Sequence, residues 1–261
     1  MSTKKDFWYK VTIALLSFII ILQWVVTIPK PKKAPPKIPA VAYKGKIAIV
    51  IDDWGYNLNN LPIIDQIKQP LTASILPHLS YSRAVADELY ARGVEIILHL
   101  PMEPHEKYRL EKNTIMTTMG AADIIKIIDG DLADLSHAKG VSNHMGSAAT
   151  EDSRTMETVF GELKKRKLYF LDSYVTAKSI CGRLARLVGL AFAKRDVFLD
   201  NNEEAEYIKA QVYKLKMKAK LYGSAVGIGH DRKITLEVLR VIMPQLEKEG
   251  YRFVPLSELV K

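Results

Sequence analysis

Apolar residues in the second part of the chain fall in short runs, and six of these runs stop at a polar residue able to do chemistry. IAIVIDDWGYN reaches Asp52 and Asp53, VEIILHLPMEP reaches His99, and GVSNHMGS reaches Asn143 and His144. LYFLDS ends at Asp172, DVFLDNN at Asp200 and SAVGIGHD at His230. Runs this short and this rich in Val and Ile read as buried parallel strands. They predict strands at about 47–51, 71–76, 94–99, 140–143, 168–171, 196–200, 224–229 and 251–254. Helix-like stretches alternate with them. One follows Ser80 and ends at Gly93, a second opens at Thr150-Glu151-Asp152, and a third runs from Thr235 to Glu249 before Gly250. The alternation predicts an α/β fold with a parallel sheet and right-handed crossovers. Seven or eight such units within residues 45–261 fit a (β/α) barrel, since no glycine-rich nucleotide turn follows the first strand. In such a barrel the strands' C-terminal ends form the active face, so each run delivers its acid, amide or imidazole to one mouth. The long connection 100–120 would form its rim.

The N-terminal segment follows a different pattern. Residues 11–28 are uncharged and apolar over eighteen positions, with Trp8 and Trp24 near the ends, which predicts one transmembrane helix. A cleaved signal would need Ala40-Val41-Ala42, too far beyond the apolar stretch, so an uncleaved anchor is the better reading. Residues 1–10 would be a cytoplasmic tail and 29–44 a stiff Pro/Lys-rich linker, leaving the domain 45–261 outside the cytoplasmic membrane. Lysines flank both sides of the helix, so charge bias alone does not set its orientation.

Charge changes the picture little beyond this. Of the formal +9, residues 1–40 supply +6 through seven lysines and Asp6, and about +3 remains for the domain. So small an excess leaves no footprint for nucleic acid, and the tail lysines suit anionic lipid head groups. Cys181 is the only cysteine, which excludes an intrachain disulfide and a thiolate metal site.

Adjacent carboxylates such as Asp52 and Asp53 raise each other's pKa, and a divalent metal on one of them resolves the conflict. Asp-Asp-Trp-Gly also reads as a solvated turn. His99 alone at a strand end would more often be structural, but three histidines and four aspartates at one end of a parallel sheet indicate a site. His78, His105 and His137 read as surface residues. The absence of a Gly-x-Ser-x-Gly elbow and of a phosphate-binding loop argues against serine acyl transfer and nucleotide hydrolysis. Metal-assisted hydrolysis remains, with oxygen and imidazole ligands and a carboxylate base.

Residues 45–261 resemble the divergent polysaccharide deacetylases, a branch of the carbohydrate esterases with a distorted (β/α) barrel. IVIDDWGYN is similar to that family's opening motif, which implies Asp52 as base and Asp53 as metal ligand. GVEIILHLPMEP lies where ordinary deacetylases carry a His-x-x-x-His pair, with His99 in the first place and Glu103 in the second. NHMGSAAT replaces the usual Arg-Pro-Pro-Tyr, so the arginine that holds the base is missing. GIGHDRKITLEVL and YRFVPLSEL resemble the closing motif, which implies His230 as acid. The resemblance implies a zinc-like divalent ion on Asp53, His99 and either His144 or Glu103, with His144 favoured because zinc commonly takes imidazole. Asp172 is the candidate to orient His230, Asp200 reads equally as a strand-end cap or a site residue, and Asn143 would support the site. The implied activity is removal of N-acetyl groups from a cell-envelope glycan. The alternative is an envelope-anchored glycan-binding or regulatory protein that keeps the metal site without turnover.

Overall fold

A computed structural model describes residues 3–27 and 43–261. The linker reading for 29–42, and with it the Ala40-Val41-Ala42 site, lies outside the described residues. The first unit contains α1 (Thr3–Thr27), which is long and apolar enough to cross a membrane and has no buried residue in that stretch. Lys4, Lys5 and Lys10 lie on the described helix.

The second compact unit is Tyr43–Lys261. Its first half runs β1 (Gly45–Trp54), α2 (Leu61–Ile64), β2 (Thr72–Ile75), α3 (Ser82–Ala91), β3 (Glu95–Met102), α4 (Ala121–Asp134) and β4 (Gly140–Met145). Its second half continues with α5 (Ser153–Lys165), β5 (Tyr169–Asp172), α6 (Cys181–Val188), β6 (Phe192–Lys194) and β7 (Val197–Phe198). It closes with α7 (Ala205–Tyr222), β8 (Ser224–His230), α8 (Lys233–Lys248) and β9 (Tyr251–Phe253). Every strand pair is parallel, in the order β6-β5-β4-β3-β2-β1-β8-β7, with β9 added beside β1. The barrel is distorted at one seam, where β6 and β7 do not pair and the chain steps between them through Arg195 and Asp196. The Arg195 N–H donates to Asp172 O (3.0 Å) and the Asp196 N–H to Val226 O (2.8 Å), which ties the seam to the strands on either side.

Alternation along the strands sorts two cores. Ile47, Ile49 and Ile51 face the helical layer with Ile96, Leu98, Val141 and Phe170. Ala48 and Val50 face the barrel interior with Ile97, Leu171, Val226 and Ile228. The interior is plugged at its lower end by Glu95, which accepts from Thr72 Oγ1 (3.1 Å), Tyr169 O–H (2.9 Å) and the Ser257 N–H (3.0 Å). The mouth at the opposite end is therefore the only end of the strands where Asp52, His99, His144 and His230 collect.

Local sequence explains both ends of α5. Asp152 caps α5 by accepting from the Thr155 N–H (2.8 Å), while Lys164 and Lys165 occupy its last turn, where cations suit the dipole. The expected cap at Ser80 is not used. Ser82 Oγ instead accepts from the Leu79 N–H (3.0 Å) and donates to Leu76 O (2.5 Å). Strand β6 went unforeseen in the sequence because AFAK is too short a run and ends in a lysine.

Candidate metal centre

Strand parity brings the site together and also separates its members. Asp52 has the parity of Ala48 and Val50, and His99 that of Ile97, so both continue the interior rows. His230 follows Val226 and Ile228 in the same way, and it lies opposite Asp52 in the β1–β8 register. Asp53 has the parity of Ile51 and would face the helices in a regular strand. The register shifts between Ile51 and Trp54, and Asp53 takes φ +63°, a left-handed conformation that re-aims its carboxylate. The bulge is what lets two successive aspartates share one mouth.

Asp53 Oδ1 lies 3.2 Å from His99 Nε2 and 3.1 Å from His144 Nδ1, and those two nitrogens are 3.2 Å apart. One ligand atom each from Asp53, His99 and His144 fits within a 4.8 Å cluster. Asp52 is 3% exposed, with Oδ2 3.7 Å from His99 Nε2. Three atoms here are buried without a hydrogen-bond partner: Asp52 Oδ1, Asp53 Oδ1 and His144 Nε2. Asp53 Oδ1 has two imidazoles within ion-pair distance but neither at a hydrogen-bonding angle. Asp53 Oδ1, a buried acceptor without a hydrogen bond, converges with His99 Nε2 and His144 Nδ1, which fits a cation because an unpaired buried polar group costs about 1–3 kcal/mol. The donor set, two imidazoles and a carboxylate, is one that zinc and similar divalent ions accept.

The surrounding shell fixes orientation. Ser142 Oγ bonds His99 Nδ1 (2.8 Å) and Ser74 Oγ (2.7 Å), leaving His99 Nε2 for the cluster. Burial raises the Asp52 pKa and Asp53 adds to the rise, against smaller opposing effects from His99, His230 and Ser74. Burial works against ionisation of Asp53 too, but the His144 and His99 imidazoles beside it hold its carboxyl well below the usual range. The Ser74–Ser142 relay was missed in the sequence. Its signal was two hydroxyls at interior positions of otherwise apolar strands.

His230 is held by Asp200, with Nδ1 3.0 Å from Oδ1 and the backbone N–H 2.8 Å from Oδ2. Thr235 O–H also donates to Asp200 Oδ2 (2.7 Å). This leaves His230 Nε2 facing the mouth, 3.8 Å from Asp53 Oδ2. Burial opposes the charge on Asp200, but hydrogen bonds from His230 keep its pKa below the ordinary value. Gly229 sits tightly beside it, since a Cβ there would lie 3.0 Å from Thr235 Cγ2 and 3.4 Å from Asp200 Oδ2 and press on the pair.

One expected placement is corrected. Asp172 does not orient His230. It has the parity of Phe170, points away from the interior, and accepts from the Tyr174 N–H (2.7 Å) and Ser179 O–H (2.7 Å). Glu103 lies beyond the end of β3 and accepts from both the N–H (2.5 Å) and O–H (2.6 Å) of Thr117, so it clamps the rim loop instead of joining the cluster. Asn143 braces the neighbouring strand end, accepting from the Ser173 N–H (2.8 Å) and donating to Met145 O (2.7 Å). Of the histidines read as surface residues, His105 is exposed. His78 is exposed too, with Nε2 2.9 Å from Asp131 Oδ1, while His137 is half-buried with its ring stacked on Tyr90 at 3.9 Å. The rim loop contributes a residue that no sequence signal marked. Glu111 Oε2 lies 3.5 Å from His144 Nε2, and Tyr56 O–H donates to Glu111 Oε1 at 3.5 Å.

A family model for divergent polysaccharide deacetylases matches residues 49–260. The chain belongs to the divergent polysaccharide deacetylase family. It is 35% identical over 202 residues to the protein YibQ of Escherichia coli, covering 77% of this chain and 63% of that relative's length. A crystal structure from Agrobacterium tumefaciens superposes with a TM-score of 0.80 at 22% identity, covering 84% of this chain and 90% of the other. The peptidoglycan deacetylase PdaC of Bacillus subtilis superposes with a TM-score of 0.52 at 15% identity, covering 82% and 89%. At these identities the two structures share the fold with this chain, a deacetylase-like parallel barrel.

Proposed function

We propose that this member of the family is a divalent-metal-dependent hydrolase, zinc being the expected ion, that removes N-acetyl groups from a cell-envelope glycan. The observation that carries the reading is the Asp53–His99–His144 cluster with a buried carboxylate, Asp52, on one side and the Asp200-held imidazole of His230 on the other. Asp53, His99 and His144 would hold the ion. When bound, it supplies Lewis acidity to a carbonyl and acidifies water at its open position. Asp52 takes the proton from the attacking water through its unsatisfied Oδ1. His230 Nε2 delivers a proton to the leaving amine, with Asp200 fixing the ring so that this nitrogen faces the mouth. Purified protein is expected to release acetate from N-acetylated envelope oligosaccharides, to stop on chelation and to resume when zinc is restored. Release of no acetate from any such glycan would sink the reading.

One observation favours the second reading, a glycan-binding or regulatory protein. Among the described residues no arginine hydrogen-bonds Asp52. Arg195, at the barrel seam, instead donates to the carbonyls of Ser173 (2.6 Å) and Tyr174 (2.8 Å). In that case the protein binds the glycan without releasing acetate, and Asp52→Asn leaves the affinity unchanged.

Helix α1, long and apolar enough to span a bilayer, supports an inner-membrane anchor with the domain on the outer side. Protease added to intact spheroplasts is expected to digest the domain while cytoplasmic markers survive. A protected domain would overturn this placement.

A further inference from the structure

Helix α7 carries five lysines against one glutamate and does not bury its whole apolar content. Its inner face packs on the barrel through Ile208, Val212, Leu215 and Ala219. Along its outer face Tyr213, Met217, Leu221 and Tyr222 are 44%, 59%, 73% and 70% exposed. The first three are spaced by four residues, so they form one stripe. Lys209, Lys216 and Lys218 answer Glu206, Glu249 and Asp196, while Lys214 and Lys220 have no ion-pair partner among the described residues. A groove of about 640 Å³ runs beside the stripe, with Lys214, Lys218, Tyr213 and Met217 on its wall. Shallow apolar side chains flanked by unpaired lysines match the chemistry of an anionic bilayer surface.

The position of this stripe in the chain points the same way. Strand β1 enters the domain against the last turn of α7. The Lys46 N–H donates to Gly223 O (2.9 Å), and a Cβ on Gly45 would fall 2.4 Å from Ala219 O. The chain arriving from α1 therefore joins the domain beside Leu221 and Tyr222. Only the fifteen residues 28–42 separate the two described segments, a reach of at most about 55 Å. Tethering at that range gives an effective concentration in the millimolar range, so a weak patch is enough to stay engaged.

We infer that the outer face of α7, from Tyr213 to Tyr222, docks on the anionic surface of the membrane that α1 anchors. The face lies towards the lower end of the barrel, so docking there leaves the mouth with Asp52 and His230 free of the bilayer. This rests on the reading of α1 as a span and is independent of the metal site.

The test uses the full chain in vesicles of phosphatidylcholine, alone or mixed with phosphatidylglycerol. Cys181 is buried, so Met217→Cys provides the one reactive site for an environment-sensitive fluorophore, and exposed Lys126→Cys on α4 serves as the control. Lipids carrying a quencher near the head group are expected to quench the Met217 probe in the mixed vesicles and not the Lys126 probe. Each lysine near an anionic surface is worth about fivefold in binding. Lys214→Glu with Lys220→Glu should therefore lower the docked-to-free ratio by more than about tenfold at low salt. Equal quenching of both probes, or quenching indifferent to phosphatidylglycerol, would overturn the inference. Shielding of the Met217 probe that persists in detergent without lipid, in a protein that elutes as a dimer, would overturn it in favour of a contact between copies. Acetate release by the same preparations reports separately on the catalytic reading.

Discussion

Asp52→Asn is expected to lower acetate release by about 10²–10⁴-fold, the usual contribution of a positioned general base. The substitution is isosteric in a site only 3% exposed, so the fold and the approach of the glycan should survive. The amide cannot accept a proton from water, and the loss should fall on kcat with KM little changed. Ion content should stay as in the parent, because Asp52 is not one of the three clustered ligands. Turnover within a few-fold of the parent would remove Asp52 from the role of base. Loss of the ion together with turnover would make it a ligand.

Asp200→Ala is expected to act on stability and on turnover at once. The carboxylate accepts from the His230 N–H, the His230 ring and Thr235 O–H, and none of these donors has a replacement at hand. Its removal should destabilise the domain by about 2–4 kcal/mol at neutral pH, tempered because His230 is partly open to water. The folded Asp200 pKa is depressed, so this contribution is complete above the unfolded value, near about 4. It is lost as the pH falls through the still lower folded value, and the difference between parent and variant should shrink in acid. Turnover should fall most for substrates with poor leaving groups, since a freed His230 ring no longer presents Nε2 to them. Asp172→Ala is the matched control. It removes bonds to Tyr174 and Ser179 only, so it should lower stability without changing the leaving-group dependence. Equal catalytic effects of the two variants would contradict the assignment of Asp200 as the positioning residue.

The strands, the mouth and most of its members could be read from the chain because a buried parallel strand is a short apolar run and its end is a polarity step. The position of Asp172 shows what the run alone does not reveal. LYFLDS and SAVGIGHD look alike as runs, but Phe170 faces the helices and Ile228 the interior, so Asp172 and His230 diverge by one step of a period-two pattern. Counting parity from the hydrophobic rows would have separated them. For Asp53 that count gives the wrong answer, because the bulge and the left-handed backbone at Asp53 override the alternation. Glu103 sits at the expected place in the sequence yet one residue past the end of β3, where it meets Thr117 of the rim loop. Glu111 was invisible because a loop carries no periodicity from which the direction of a side chain can be read.

The most direct test of the account is the metal content of the purified protein after reconstitution, measured for the parent, His144→Ala and Glu103→Ala. The account predicts about one divalent ion per chain in the parent and in Glu103→Ala, with His144→Ala much depleted, as the convergence of Asp53, His99 and His144 requires. A parent chain that binds no ion from zinc, nickel, cobalt or manganese, or one that loses its ion with Glu103 and keeps it without His144, would contradict it.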